Sequence, residues 1–216
     1  MRKKADKTRA RIMRTAGKLF AKYGFKGVTV RQLAAKARVN QAAINYYFRD
    51  KYGLYCEVVK ELVRSFETQP AQYWEERLQA ATSFADLEVL LGEYVDAKLA
   101  SHLQILKTEE RWRQELMMRL MMEQDELLRS IPQWLEREMR IAPELFRRLS
   151  PEKDELVYRL ADIHLMGQIF FYSAAEGAVR SFLNYTGNWD DLLPRIRELV
   201  LKSVYAYLEL QWQGRN

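Results

Sequence analysis

Between residues 28 and 51 the chain reads VTVRQLAAKARVNQAAINYYFRDK, and the side chains here that can do chemistry recognise rather than transform. Gln41 carries a carboxamide able to make paired hydrogen bonds to adenine N6 and N7. Asn45, one helical turn on, suits a base edge or a phosphate, and the planar fork of Arg31 suits a guanine or a phosphate. Ala42 and Ala43 are small enough to let a helix backbone lie close to base edges. Elsewhere the chain has no Gly-rich phosphate loop, no HExxH, no nucleophile elbow and no histidine beside a carboxylate at helical spacing, so catalysis is not expected. One cysteine (Cys56) and two histidines (His102, His164) are too few for a metal site, and no cofactor is expected. Cys56 reads as a small buried apolar residue, and the two histidines as hydrogen-bonded helix residues.

The elements that must position these residues are helical. Nine Gly and five Pro in 216 residues, apolar spacings of three and four, and no convincing two-residue alternation predict an all-α chain. Residues 6–23 align Ile12, Ala16, Leu19, Phe20 and Tyr23, and Gly24 fits the left-handed position after a helix, with Phe25 folding back. Thr29 with Gln32 forms a capping box, and Val28 with Leu33 a hydrophobic staple, for a helix over about 30–37. Asn40 caps the next, over about 41–47, with Val39 and Ile44 repeating the staple. Asp50 opens a fourth helix that ends near Pro70. Ile44 and Phe48 are core residues, which leaves Gln41, Ala42, Asn45 and Tyr46 on a face with no partner inside the protein. Two short capped helices behind a longer one, set in basic charge, are the parts of a helix-turn-helix DNA reader.

Charge divides the chain in the same place. Residues 1–51 hold fifteen Lys and Arg against two Asp, a net of +13, whereas the rest holds twenty bases against twenty-seven acids, a net of −7. A basic module that binds a polyanion is thus joined to an acidic body. The tail MRKKADKTR reads either as solvated and disordered or as an arm following the DNA backbone. In the body, helices are expected over about 71–81, 84–106, 108–123 and 125–140, then a break from Pro143 to Pro151, then 152–184 and 189–212. The lack of an 18-residue apolar run or a signal-peptide core predicts a soluble, cytoplasmic protein with no membrane partner.

The stretch AGKLFAKYGFKGVTVRQLAAKARVNQAAINYYFRDKYGLYCEVV resembles the TetR family of bacterial transcriptional regulators. The variant AAINYYF together with IHLMGQIFFY (163–172) looks like a subgroup described with regulators of efflux and drug sensitivity. The resemblance implies an N-terminal three-helix helix-turn-helix DNA-binding domain (6–52) followed by a larger helical ligand-binding and dimerisation domain (53–216). It further implies that the recognition helix enters the major groove, that Thr29, Tyr46, Tyr47 and Lys51 meet phosphates, and that the last two helices form a dimer seam. For Tyr47, core packing is the rival role. Two positions depart from the family: Arg38 where glycine is usual, and Asn45 where tyrosine is usual.

The expected function is a ligand-responsive, homodimeric transcriptional regulator, a repressor released from its double-stranded operator by a small, mainly apolar molecule. A sequence-independent architectural DNA-binding protein is the rival. The candidate effector residues are His102, Trp112, Met117, Met121 and Phe170. The stretch ELMMRLMMEQ, flanked by Trp112 and Trp134, is rich in thioethers that adapt to varied apolar ligands, although plain core packing uses the same residues. Helices 152–184 and 189–212 have more apolar edge than one partner covers. Gly167, Ala174 and Gly177 permit a second copy to approach closely.

Overall fold

A computed structural model describes residues 2–67, 69–106, 110–122, 137 and 139–210, with side chains described from residue 5 and, between 84 and 106, as far as residue 103. Among these residues there are eleven α-helices, one 3-10 turn and no strand. The helices are α1 (Arg2–Tyr23), α2 (Val30–Ala37), α3 (Gln41–Phe48), α4 (Lys51–Arg64), α5 (Ala71–Ala80), α6 (Phe84–Leu106), α7 (Trp112–Met122), α8 (Ile141–Leu149), α9 (Glu155–Ala174), α10 (Glu176–Phe182) and α11 (Leu193–Tyr207), with the 3-10 turn at Trp189–Leu192. No helix among them is long and apolar enough to cross a membrane. Most of the expected helix over 125–140, Trp134 included, lies outside the described residues.

The chain forms two compact units, Met1–Phe66 with Ile105–Ser130, and Glu67–Gln104 with Ile131–Asn216. The boundary read from the sequence, 6–52 against 53–216, therefore differs in two ways. The first unit keeps all of α4, and it also takes in α7 from much later in the chain.

The reason lies in the first unit's core. Ile12, Ala16 and Phe20 of α1, Leu33 and Ala37 of α2, Ile44 and Phe48 of α3, and Leu54, Val58 and Leu62 of α4 share one apolar cluster with Trp112, Leu116 and Leu120 of α7. At Gly17, α1 has no side chain, and the Trp112 ring fills that space so closely that an added methyl would overlap it. Arg119 of α7 donates to the carbonyls of Ala21 (2.9 Å) and Lys22 (3.3 Å), satisfying acceptors that the end of α1 leaves open. Arg14 of α1 pairs with Glu110 (2.6 Å) and Arg113 with Glu61 (3.4 Å). Tyr23, expected on the buried stripe, is exposed. The basic tail is helical from Arg2, so it continues α1 instead of forming an extended arm.

In the second unit, Trp74, Leu87, Leu91, Tyr94 and Val95 from α5 and α6 are buried, as are Leu145, Phe146, Tyr158, Ala161, Leu165, Ile169, Val200 and Val204 from α8, α9 and α11. A capping box opens α6: Asp86 accepts from the backbone of Thr82 and Ser83, and Ser83 accepts from Asp86 N. The break expected at Pro143 is instead α8. Pro143 sits in its first turn, where a missing N–H costs nothing. The long helix expected over 152–184 is kinked at Ala175 (φ −103°, ψ 22°) within the small-residue run Ser173–Ala175, giving α9 and α10.

The seat of Trp112 on Gly17 can be tested by unfolding. Gly17→Ala should destabilise the chain by about 1–3 kcal/mol through overpacking, and Trp112→Ala by about 3–5 kcal/mol through the cavity it leaves. Urea denaturation followed by circular dichroism reads both, and a neutral Gly17→Ala would mean that the ring moves freely.

Candidate nucleic-acid interface

The reading elements are built by their caps. Thr29 Oγ1 accepts from Gln32 N (3.2 Å) while Gln32 Oε1 accepts from Thr29 N (2.8 Å), closing the expected box at the start of α2. Asn40 Oδ1 accepts from Ala43 N (2.7 Å) to start α3, and Asp50 Oδ1 accepts from Gly53 N (2.7 Å) to start α4. The turn between α2 and α3 runs through Arg38 in the left-handed region (φ 52°, ψ 51°). Arg38 N donates to Ala35 O (3.2 Å) and Val39 N to Ala34 O (3.0 Å), the reciprocal pair of a Schellman ending. A non-glycine residue there costs about 1–2 kcal/mol, a strain accepted to keep the turn three residues long. Gly24 takes the left-handed position after α1 (φ 69°), as expected.

With Ile44 and Phe48 buried, α3 turns Gln41, Ala42, Asn45 and Tyr46 outward, Tyr46 at 83% exposure. Ala43 is half-buried. Tyr47 is also half-buried and packs against the core, the rival role considered for it, while its ring meets Tyr46 edge-on (5.1 Å). Thr29 and Arg31 are exposed at the start of α2. Lys51 is more constrained than its type suggests. Its ammonium donates to Phe25 O (3.0 Å) and Val28 O (2.9 Å) and lies 4.1 Å from the centre of the Phe25 ring. Two of its three N–H groups thus tie the start of α4 to the loop before α2. Arg9, counted among the bases, is held by Glu57 (2.7 Å). Lys7, Arg11, Lys18, Lys22, Lys26, Arg31 and Lys36 are half-exposed or exposed around the same unit.

The five candidate effector residues do not form one group. Trp112, Met117 and Met121 belong to the first unit: Trp112 is core, Met117 packs against that core and Met121 is exposed. The α7 face that packs into the first unit's core is Trp112, Leu116 and Leu120 with Met117, whereas Met118, Met121 and Met122 are exposed. His102 and Phe170 belong to the second unit and meet edge-to-face with ring centres 6.0 Å apart.

The sequence reading missed the polar centre of the second unit, because its members lie up to 95 residues apart and no spacing rule joins them. Lys98, 5% exposed, donates to both carboxylate oxygens of Glu67 (2.7 and 2.5 Å). Asp162 faces this pair, with Oδ1 buried and without a hydrogen bond among the described residues. Burial pushes the Asp162 carboxyl up to about 6, with Lys98 pulling the other way and Glu67 adding to the rise. His102 is lowered to about 3, first by burial and then by Lys98. Ser173 gives its hydroxyl proton to Phe170 O (2.9 Å), so its oxygen accepts from His102 Nδ1 (3.2 Å), and the imidazole is neutral with its proton on Nδ1.

This fold and this site define a class: an all-α chain whose first unit presents a capped helix-turn-helix. Residues 12–58 match the family described as "Bacterial regulatory proteins, tetR family". The match covers α2, α3 and most of α1 and α4, so over that segment the chain is similar to the N-terminal part of TetR-family regulators. It is 30% identical over 90 residues to the HTH-type transcriptional repressor NicS of Pseudomonas putida, a match covering 42% of this chain and 42% of NicS, so less than half of that relative is spanned. Its fold resembles NalD, the secondary repressor of the MexAB-OprM multidrug efflux pump in Pseudomonas aeruginosa (TM-score 0.64, 18% identity, 95% of this chain and 97% of NalD). It also resembles HlyIIR, a hemolysin II transcriptional regulator (TM-score 0.59, 20% identity, 90% and 97%).

Two measurements check this geometry. The folded chain holds a proton on Asp162 that the unfolded chain lacks between its ordinary value of 3.8 and about 6, so this group's contribution to stability falls as pH rises through that window. Asp162→Asn should therefore stabilise the chain near pH 7.5, on the order of 1–3 kcal/mol, and the gain should fade below about pH 4. His102 contributes with the opposite slope, its stability being lost as pH falls from 6.5 towards 3, and that slope should survive in the variant. Separately, Arg38→Gly should raise the unfolding midpoint by relieving the left-handed strain, a gain of up to about 1 kcal/mol.

Proposed function

We propose that this chain is a ligand-responsive, DNA-binding transcriptional regulator that acts as a repressor and is released from its operator by a small, mainly apolar molecule. The observation that carries the reading is the outward face of α3. An eight-residue helix whose apolar side is fully buried offers Gln41, Asn45 and Tyr46 to solvent within a segment, residues 1–51, of net charge +13. Gln41 reads adenine through its amide, and Ala42 and Ala43 leave room for the groove edge. Asn45 and Arg31 meet bases or phosphates, and Thr29, Tyr46, Tyr47 and Lys51 hold the backbone. The third N–H of Lys51 remains for a phosphate. NicS and NalD, both repressors, support the sign of regulation.

Two copies are needed to place two such helices in successive major grooves, about 34 Å apart. The surface that suits a second copy is the outer face of α9 and α11. Leu156, Leu160, Ile163 and Phe171 of α9, with Leu199 and Tyr207 of α11, are exposed. A side chain added at Gly167 or Gly177 would meet nothing within 4 Å. The buried face of α9 is a different set, Tyr158, Ala161, Leu165, Ile169 and Ser173, so the helix is apolar on two sides. A two-fold pairing buries the outer side against itself. The effector belongs in the acidic second unit, with His102 and Phe170 as its first candidates. Trp112, Met117 and Met121 would act on the reading unit they pack within. A molecule that prefers the non-binding geometry by about 5.5 kcal/mol moves the population from 1:99 to 99:1.

The test is binding to DNA fragments retained from the chain's own genome, compared with random duplex. Gln41→Ala should cost about 1–3 kcal/mol on the preferred site and relax base preference, whereas Lys51→Ala should weaken all sequences alike. Affinity should fall with salt at a logarithmic slope near 0.9 per phosphate neutralised. Equal affinity for specific and random duplex would favour an architectural protein instead.

A further inference from the structure

His164 lies on the outer face of α9, flanked by Ile163, Gly167, Gln168, Phe171 and Tyr172 along a shallow groove. Its ring stacks on Tyr207 of α11, with centres 5.7 Å apart and planes at 20°. Its nitrogen roles follow from its neighbours. Ser203 donates its hydroxyl proton to Val200 O (2.8 Å), so its oxygen must accept, and the donor is Gln168 Nε2 at 2.7 Å. That orients the Gln168 amide, and the same Nε2 stands 2.6 Å from His164 Nε2. The imidazole nitrogen is therefore the acceptor, and the ring is neutral with its proton on Nδ1. A second proton would set N–H against N–H. Relief requires Gln168 to turn its carbonyl round and Ser203 to release Val200.

We propose that His164 makes the pairing of two copies through this face pH-dependent, with the paired state lost as the imidazole takes up a proton; this rests on the two-fold reading above. Protonation places a charge among Leu160, Ile163 and Phe171, where pairing would remove it from water, and it disturbs the Gln168–Ser203 link between α9 and α11. Among the described residues the contacts of His164 are with Gln168 and Tyr207, neither of them charged. On α9 the residues three and four away are Leu160, Ala161, Gly167 and Gln168. On α11 the ring faces Tyr207 and Ser203, while Glu198 and Lys202 pair with each other (2.5 Å). On α8, which packs against α9, Arg147 is engaged with Glu144 and Glu155, and Arg148 with the carbonyls of Leu78 and Ala81. On α10, Glu176 pairs with Arg180 (2.8 Å). Asp162 lies two residues back, about 200° round the helix and towards the buried Lys98.

The experiment is sedimentation equilibrium of the full chain at about pH 8, 7 and 5.5, on wild type, His164→Gln and His164→Asn, with helical content followed by circular dichroism. Gln sets an uncharged acceptor near the position of Nε2. Wild type should be dimeric at about pH 8, with a dissociation constant that rises about tenfold or more by about pH 5.5 and an uptake of close to two protons per dimer separated. The variants should change no more than about twofold over the same range. A wild type monomeric at micromolar concentration at every pH would overturn the two-fold reading itself. A dimer whose constant does not change with pH, or changes equally in wild type and both variants, would leave that reading standing and overturn the role of His164. Should both variants lose helix, the wild-type proton uptake decides alone, and a value near zero overturns the proposal.

Discussion

Two helices of eight residues carry the outward face of the first unit, and a helix of that length is not stable by itself in water. Everything about α3 depends on Ile44 and Phe48 being buried, because those two side chains hold it by its apolar side and so free the opposite side for recognition. The cluster that buries them draws on α1, α2, α4 and α7 together. The caps at Thr29, Asn40 and Asp50 then set where each helix starts. Lys51, bound to the carbonyls of Phe25 and Val28, sets where the fourth stands.

The position of α7 gives this unit an unusual composition. A segment some fifty residues beyond α4 supplies Trp112 to the gap at Gly17 and Arg119 to the carbonyl end of α1. The helix that backs α1 thus comes from a later part of the chain.

The second unit is organised round a buried ammonium between two carboxylates. Lys98 and Glu67 form the close pair, and Asp162 has too little water and too little compensating charge to ionise at its ordinary value. Such a cluster is costly compared with an apolar core of the same shape. His102, neutral and bonded to Ser173, continues the polar interior towards Phe170. The outer side of α9 shows the opposite case, an apolar surface with one histidine whose Nε2 meets the Gln168 amide.

The sequence alone determined the helical class, the charge division, the capping box at Thr29, the caps at Asn40 and Asp50, and the outward set Gln41, Ala42, Asn45 and Tyr46. All of these are local, fixed by side chains within four residues of the groups they satisfy. Thus α2 and α3 could be placed to within a residue, and the departure at Arg38 could be seen as a demand on the backbone. Only the tertiary structure decided which apolar residues share a core. The spacing of Met117, Met118, Met121 and Met122 does not distinguish a cavity lining from a helix that packs through Trp112, Leu116, Leu120 and Met117 and leaves Met118, Met121 and Met122 exposed. The difference was made by Gly17, ninety-five residues earlier, whose empty side accepts Trp112. The same holds for Glu67, Lys98 and Asp162, which become one cluster because the connection between α4 and α5 meets α6 and α9 there. It holds too for Pro143, which opens a helix because the residues after it have a core to bury against. Contacts between distant segments depend on how faces pack, and periodicity names a face without naming its partner.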